Sequence, residues 1–214
     1  MRVTTWLCVF LLLLSPLNAT QPTIIIDPAG DASNTGRQLY DSYERAATYA
    51  FAQELKKILE LSFNFRVLLS RVPGQTLDPF QVITLANQQG NFLLHLNFFK
   101  DTHERPQVFG YRLFFDPVFD AASHDITPNS FLHIRQAHFI AVNNTTLLCS
   151  KMAKEFSLET NQKLFDFYGF HGLPVKPLVG CTTPALLFDI GINNDAAWQQ
   201  LVSPLAQAIA SSFL

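Results

Sequence analysis

One histidine gathers the chemistry of this sequence. His95 stands at the centre of FLLHLNFF (residues 92–99), an otherwise almost wholly apolar run, with Asn97 two places on. A run of this kind reads as a buried strand. An imidazole in such a strand has two uses. It is a core side chain whose ring nitrogens are satisfied by neighbours, or it is a ligand that offers a lone pair to a metal ion. Two carboxylates share its setting. Asp27 ends the β-branched run TIIIDP (Thr23–Pro28), and Asp189 comes late in PALLFDIG (Pro184–Gly191). Imidazole and carboxylate together are the donors of a hydrolytic zinc site or the partners of an acid–base site. The remaining histidines, His103, His124, His133, His138 and His171, lie in polar surroundings. Two of them, in HIRQAH (His133–His138), are five apart, which does not share one helix face.

Strands and helices must alternate to bring these residues together. TIIIDP is followed by the polar loop AGDASNTGRQLYDS and then by a helix over Tyr43–Ser62. In that helix Ala46, Tyr49, Ala50, Gln53, Ile58 and Leu61 lie near helical spacing, with Ser42 as N-cap. FRVLLSR (Phe65–Arg71) is a second strand, and PFQVITLANQQG (Pro79–Gly90) a second helix with Pro near its start and Gly after its end. NFLLHLNFF is the third strand and YRLFFD (Tyr111–Asp116) the fourth. Residues 117–143 are irregular; a helix follows over Asn144–Glu159, then the strand PALLFDIG. The closing helix, Asp195–Leu214, carries Pro204, which bends or splits it. This alternation implies an α/β sandwich around a largely parallel sheet. In such sheets sites gather at the carboxyl ends of the strands, where Asp27, His95 and Asp189 all fall.

The amino terminus has another purpose. MRVTTWLCVFLLLLSPLNAT has one basic residue, Arg2, an apolar core from Trp6 to Leu14, a break at Ser15–Pro16 and a small residue, Ala19. That is the pattern of a secretory signal peptide over residues 1–20, with an apolar core too short to span a bilayer and no transmembrane helix after cleavage. Residues 21–214 suit one domain. The composition is globular, 48% hydrophobic and 15% charged with 20 Phe. A net charge of -2 and the lack of a Lys/Arg cluster argue against nucleic acid and against a membrane surface. Cys149 and Cys181 follow the leader; they pair in an oxidising compartment if they approach closely, or stand as two buried thiols.

In their order these motifs resemble the zinc-dependent N-acetylmuramoyl-L-alanine amidases of the amidase 3 type. Those cell-wall hydrolases cut the bond between muramic acid and the stem peptide of peptidoglycan. Their IDPGHGG is matched by IDPAGDA (residues 26–32). The Glu of their first helix, with Ala and Leu downstream, is matched by Glu44, Ala52 and Leu55. LSR (Leu69–Arg71), Ala86–Asn87, LLHLN (Leu93–Asn97), PALLFDIGINN (Pro184–Asn194) and the final LAQAIASSF follow in the family's order. The resemblance covers nearly all of residues 21–214. It implies a three-layer fold of the amidase and zinc-carboxypeptidase kind. It also implies export to the bacterial periplasm or cell envelope, with peptidoglycan or muropeptides, and an envelope protein, as partners.

The resemblance implies a mixed set of site residues. His95 and Glu44 match two of the family's zinc ligands, while Gly30 stands where the first zinc histidine belongs. Asp189 stands where the family has its general-base Glu, one methylene and roughly 1.5 Å shorter. Val82 replaces a basic residue. Two readings follow. In one, the chain is an amidase-like pseudoenzyme that binds peptidoglycan or a partner without zinc. In the other, Asp31 or Asp27 joins Glu44 and His95 in an altered zinc set, and Asp189 serves as base.

Overall fold

The computed structural model describes residues 21–115 and 133–213. Residues 1–20, most of the irregular segment, and His124 lie outside the described residues. The strands are β1 (Thr23–Pro28), β2 (Arg66–Leu69), β3 (Phe92–Lys100), β4 (Gln107–Leu113), β5 (Asp166–Leu173) and β6 (Ala185–Ile192). They form one sheet in the order β2-β1-β3-β6-β4-β5. The first four in that order are parallel; β4 runs antiparallel to β6, and β5 runs parallel to β4. The sheet is therefore mostly parallel, with helices on both faces.

Side-chain alternation decides what each face carries, because successive residues of a strand point to opposite sides. Ile24 and Ile26 of β1, Phe92, Leu94, Leu96 and Phe98 of β3, and Leu186, Phe188, Ile190 and Ile192 of β6 enter the larger core. Three helices close that core: α1 (Glu44–Phe63), α3 (Val142–Phe156) and α5 (Gln199–Phe213). The other parity holds Ile25, Leu93, Ala185 and Leu187 in a smaller core against α2 (Pro79–Gln89) and a 3₁₀ turn, Lys176–Leu178. Asp27, His95, Asn97 and Asp189 share this second parity. A short helix, α4 (Glu159–Gln162), leads into β5.

Local signals explain most boundaries. α2 starts at Pro79, behind Asp78, whose carboxylate accepts from the Phe80 N–H. α1 ends at Asn64 in the left-handed conformation, with its N–H on the Leu59 carbonyl. The outer edge of β2 is blunted by a pair from α1: Lys56 donates to the Val67 carbonyl, and Glu60 accepts from the Val67 N–H.

The structure departs from the sequence reading in several places. The buried stripe of α1 is Ala47, Phe51, Ala52, Leu55 and Leu59, whereas Leu61 is 78% exposed. Two apolar stripes of similar spacing compete on this helix, and the one with Phe51 and two leucines covers more of the sheet. The N-cap is Tyr43, and the Ser42 hydroxyl caps nothing. The fourth strand is shifted upstream to Gln107–Leu113. DFYGFHGL forms the edge strand β5, which periodicity did not expose. It is half-exposed throughout, and an irregularity between Val108 and Gly110 breaks the register of its pairing with β4. Pro204 lies within one continuous helix, α5.

Cys149 and Cys181 are two separate, buried thiols. They belong to opposite cores, so the sheet stands between them. Burial pushes both up to about 11. In a thiol titration of residues 21–214, both cysteines are expected to react only after denaturation. A reductant is expected to leave the melting temperature unchanged; a drop would mean that they pair.

Candidate functional site

The parallel register places the polar residues in a strip across the strand ends. Asp27 lies opposite His95, and Asn97 opposite Asp189. Asp27 Oδ2 is 2.6 Å from His95 Nδ1, and its Oδ1 accepts from the Ser70 hydroxyl at 2.5 Å. His95 Nε2 is 3.0 Å from Asn97 Oδ1. Both ring nitrogens therefore face oxygen acceptors, and an imidazolium donates to both. Burial opposes that charge. The Asp27 carboxylate and the hydrogen bonds to Asp27 and Asn97 outweigh it and raise the His95 pKa. Each ring nitrogen already has a side-chain partner in this arrangement.

The loop after β1 explains why Gly30 is glycine. Its φ is +77°, and a Cβ there would sit 2.8 Å from Arg45 Cβ and 2.9 Å from the Asn34 carbonyl oxygen. The next residue, Asp31, organises the loop. Its Oδ1 accepts from the Ser33 N–H, the Ser33 hydroxyl and the Asn34 N–H, each at 2.8 Å, and its Oδ2 from the Leu77 N–H at 3.0 Å. These donors, Leu77 foremost and then Ser33, hold its pKa down to about 2. Beneath the loop, Arg71 donates to the carbonyls of Pro28, Ala29 and Arg45 and stacks over Tyr49. Arg71 is only 3% exposed. In the sequence it stood out only as the end of the LSR match, with no role attached.

Glu44 opens α1 and is 4% exposed. Its Oε1 accepts from the Phe98 N–H and its Oε2 from the Arg37 N–H, both at 2.9 Å. The Glu44 N–H in turn donates to the Arg37 carbonyl at 2.8 Å. Gly36 lets the loop come this close: a Cβ on it would stand 2.7 Å from Glu44 Oε2, and its φ is +72°. The Arg37 side chain then reaches β6, with Nη1 2.8 Å from Asp189 Oδ1 and the guanidinium carbon 5.9 Å from the Phe99 ring centroid. On β4, two places along from Phe109, which pairs with Asp189, the Tyr111 phenol is pushed up by burial and by the Asp189 charge. Arg37 follows no helical or strand period, so nothing in the sequence marked it.

These residues do not fit a zinc site. Zinc takes three protein donors converging at about 2.0–2.3 Å, with one position left open. Gly30 offers none, and the His95 nitrogens are spent on Asp27 and Asn97. The Asp31 and Glu44 oxygens hold backbone donors, and Asp189 holds a guanidinium. Among the described residues, no three His, Cys, Asp or Glu side chains are placed to hold a metal ion. His103 pairs with Asp101, His133 accepts from the Arg135 N–H, His138 bonds to the Arg135 carbonyl, and His171 to the Tyr168 carbonyl. Beside the Asp27–His95 pair a cavity of about 220 Å³ remains, walled by Pro28, Leu77, Pro79, Val82 and Pro177, with Lys176 also in its lining. Val82 thus makes an apolar wall.

No family model matches the sequence, and no curated protein matches it. Solved structures match the fold over nearly its whole length. One is the catalytic domain of CwlV, an N-acetylmuramoyl-L-alanine amidase from Bacillus (Paenibacillus) polymyxa var. colistinus. It has a TM-score of 0.61 at 17% identity, over 90% of this chain and 96% of that one. The fold is that of the N-acetylmuramoyl-L-alanine amidases. An amidase of that name from Clostridium difficile 630 gives a TM-score of 0.59 at 15% identity, over 90% of this chain and 97% of its own. The CwlD amidase from Clostridioides difficile, solved in complex with the GerS lipoprotein, gives 0.58 at 12% identity over 90% and 96%.

Two outcomes follow from this geometry. Gly30→His is expected to leave metal content unchanged, because the backbone at 30 is left-handed and its Cβ direction is filled. The strain alone costs on the order of 1–3 kcal/mol, readable by urea unfolding. The second concerns pH. The raised His95 pKa contributes stability that is fully present below the unfolded value of about 6.5 and is lost as pH rises through the folded value. Unfolding free energy is expected to fall above about pH 6.5, and Asp27→Asn to flatten that slope; equal slopes would exclude the pair as its cause.

Proposed function

We propose that this chain is an exported, amidase-fold protein of the bacterial envelope that binds peptidoglycan or its muropeptides without hydrolysing the muramoyl–alanine amide. The observation that carries this reading is the engagement of Glu44 and Asp189. Backbone donors hold both oxygens of one, and Arg37 holds the other. Hydrolysis of an amide needs a nucleophilic water, a base to take its proton and an acid to return it to the leaving amine. In this chain the zinc donors are spent on the fold, and the carboxylate in the base position is charge-paired. Binding asks less. A strand-end cleft with apolar walls and polar groups at its floor is the ordinary form of a ligand site, and the cavity beside Asp27 and His95 has that form.

The leader pattern of residues 1–20 supports export, with residues 21–214 as the mature domain. No described helix is long and apolar enough to cross a membrane. The amidase solved with a lipoprotein supports an envelope protein as a second partner. The experiment uses residues 21–214 and purified sacculi. Sedimentation with sacculi, sub-stoichiometric zinc and no released stem peptide are expected. Stem-peptide release that a chelator abolishes would replace this reading by the zinc amidase with an altered ligand set.

A further inference from the structure

The cavity beside Asp27 and His95 is built before any ligand arrives. Three prolines from three elements line it: Pro28 ends β1, Pro79 opens α2, and Pro177 lies in the 3₁₀ turn Lys176–Leu178. The ring of a proline fixes one backbone torsion, so walls of this kind need little ordering when a ligand binds. Leu77 and Val82 complete the apolar lining. These parts are also tied to the fold. The Leu77 N–H donates to Asp31 in the loop after β1. Leu178, fully buried in the smaller core, anchors the turn that carries Lys176 and Pro177. The Val179 N–H closes that turn on the Lys176 carbonyl at 3.1 Å.

The charged groups of the lining are not equally engaged. Asp27 faces the His95 ring and accepts from Ser70, and Asp31 is saturated by four donors. The Lys176 ammonium has no ion-pair or hydrogen-bond partner among the described residues. We infer that this cavity takes the end of a short apolar peptide that bears a free carboxylate, with the carboxylate on Lys176 and the alkyl groups against the proline, leucine and valine walls. The inference rests on the proposed binding of muropeptides and names the part that enters, the free end of a stem peptide rather than the sugar. A sugar carries a hydroxyl on most of its carbons, and five apolar walls would leave those hydroxyls without partners. An alkyl chain ending in a carboxylate uses both the walls and the ammonium. Lys176 is exposed, so its contact with the ligand contributes selectivity between charged and neutral ends more than affinity.

The test is calorimetric titration of residues 21–214 with N-acetyl-D-alanyl-D-alanine, with its C-terminal amide and with N-acetylglycylglycine. The acid is expected to bind more tightly than the amide by roughly three- to tenfold, the range of one charge-assisted contact at a solvated rim. The glycine peptide, which lacks the methyl groups, is expected to bind more weakly than the alanine acid. Lys176→Met is expected to bring the acid to the level of the amide, and Lys176→Arg to keep the preference. If Lys176→Met does not fold, Lys176→Gln carries the same comparison. Absence of binding by the parent chain overturns the inference, as does equal binding of acid and amide or a preference that survives in Lys176→Met. Sacculus sedimentation is read separately. Sacculi bound without a preference for the acid sink this inference alone, and the preference without bound sacculi sinks the proposed function alone.

Discussion

The carboxylate of Glu44 is the constraint on which the rest of the site depends. It is a charged group in a place with almost no solvent, and such a group persists only where donors surround it. One donor is the Phe98 N–H at the end of the central strand, and the other is the Arg37 N–H in the loop before α1. These two hydrogen bonds, one accepted by each carboxylate oxygen, fix the start of α1 against β3 and draw residues 36–37 over the strand ends. Gly36 is glycine because the loop has to pass that close. Arg37 then arrives at Asp189 as a consequence of the clamp.

Parity explains why the polar strip exists at all. The β1, β3 and β6 strands are apolar on both faces, yet Asp27, His95, Asn97 and Asp189 fall on one side. They sit at the ends where the smaller core thins and the cavity opens. Charge is tolerated there because each group finds a complement within the strip. His95 lies between Asp27 and Asn97, and Asp189 meets Arg37. The Arg37–Asp189 pair is half in solvent, so its contribution to stability is of the order of 0–1 kcal/mol. It engages the Asp189 carboxylate, while Glu44 is held by backbone N–H groups.

The sheet and the polar strip at its strand ends were legible in the sequence because continuous apolar runs and their polar ends carry strong signals. TIIIDP, FLLHLNFF and PALLFDIG each became strands, and the strip follows from their parity. The buried face of α1 was not legible, because Ala46–Tyr49–Gln53 and Ala47–Phe51–Leu55 satisfy the same period and only the sheet beneath chooses between them. The edge strand β5 was hidden by its two glycines and partial exposure. Arg37 was hidden for a different reason. Its importance comes from contacts to residues 7 and 152 positions away, which no local pattern encodes.

The two readings left open by the sequence differ in whether a nearby carboxylate could replace the histidine missing at position 30. The loop geometry bears on that directly. Gly30 adopts a left-handed turn against Arg45 and Asn34, and the turn is held by Asp31 accepting from Ser33, Asn34 and Leu77. Freeing Asp31 for a metal would dismantle the turn that Gly30 makes, and restoring a side chain at 30 would do the same. Gly30 and Asp31 are therefore parts of one turn. The same holds on the other side of the strip, where Gly36 and Arg37 are set by Glu44. A metal site would have to undo both loops at once, and each is anchored by hydrogen bonds to elements outside it.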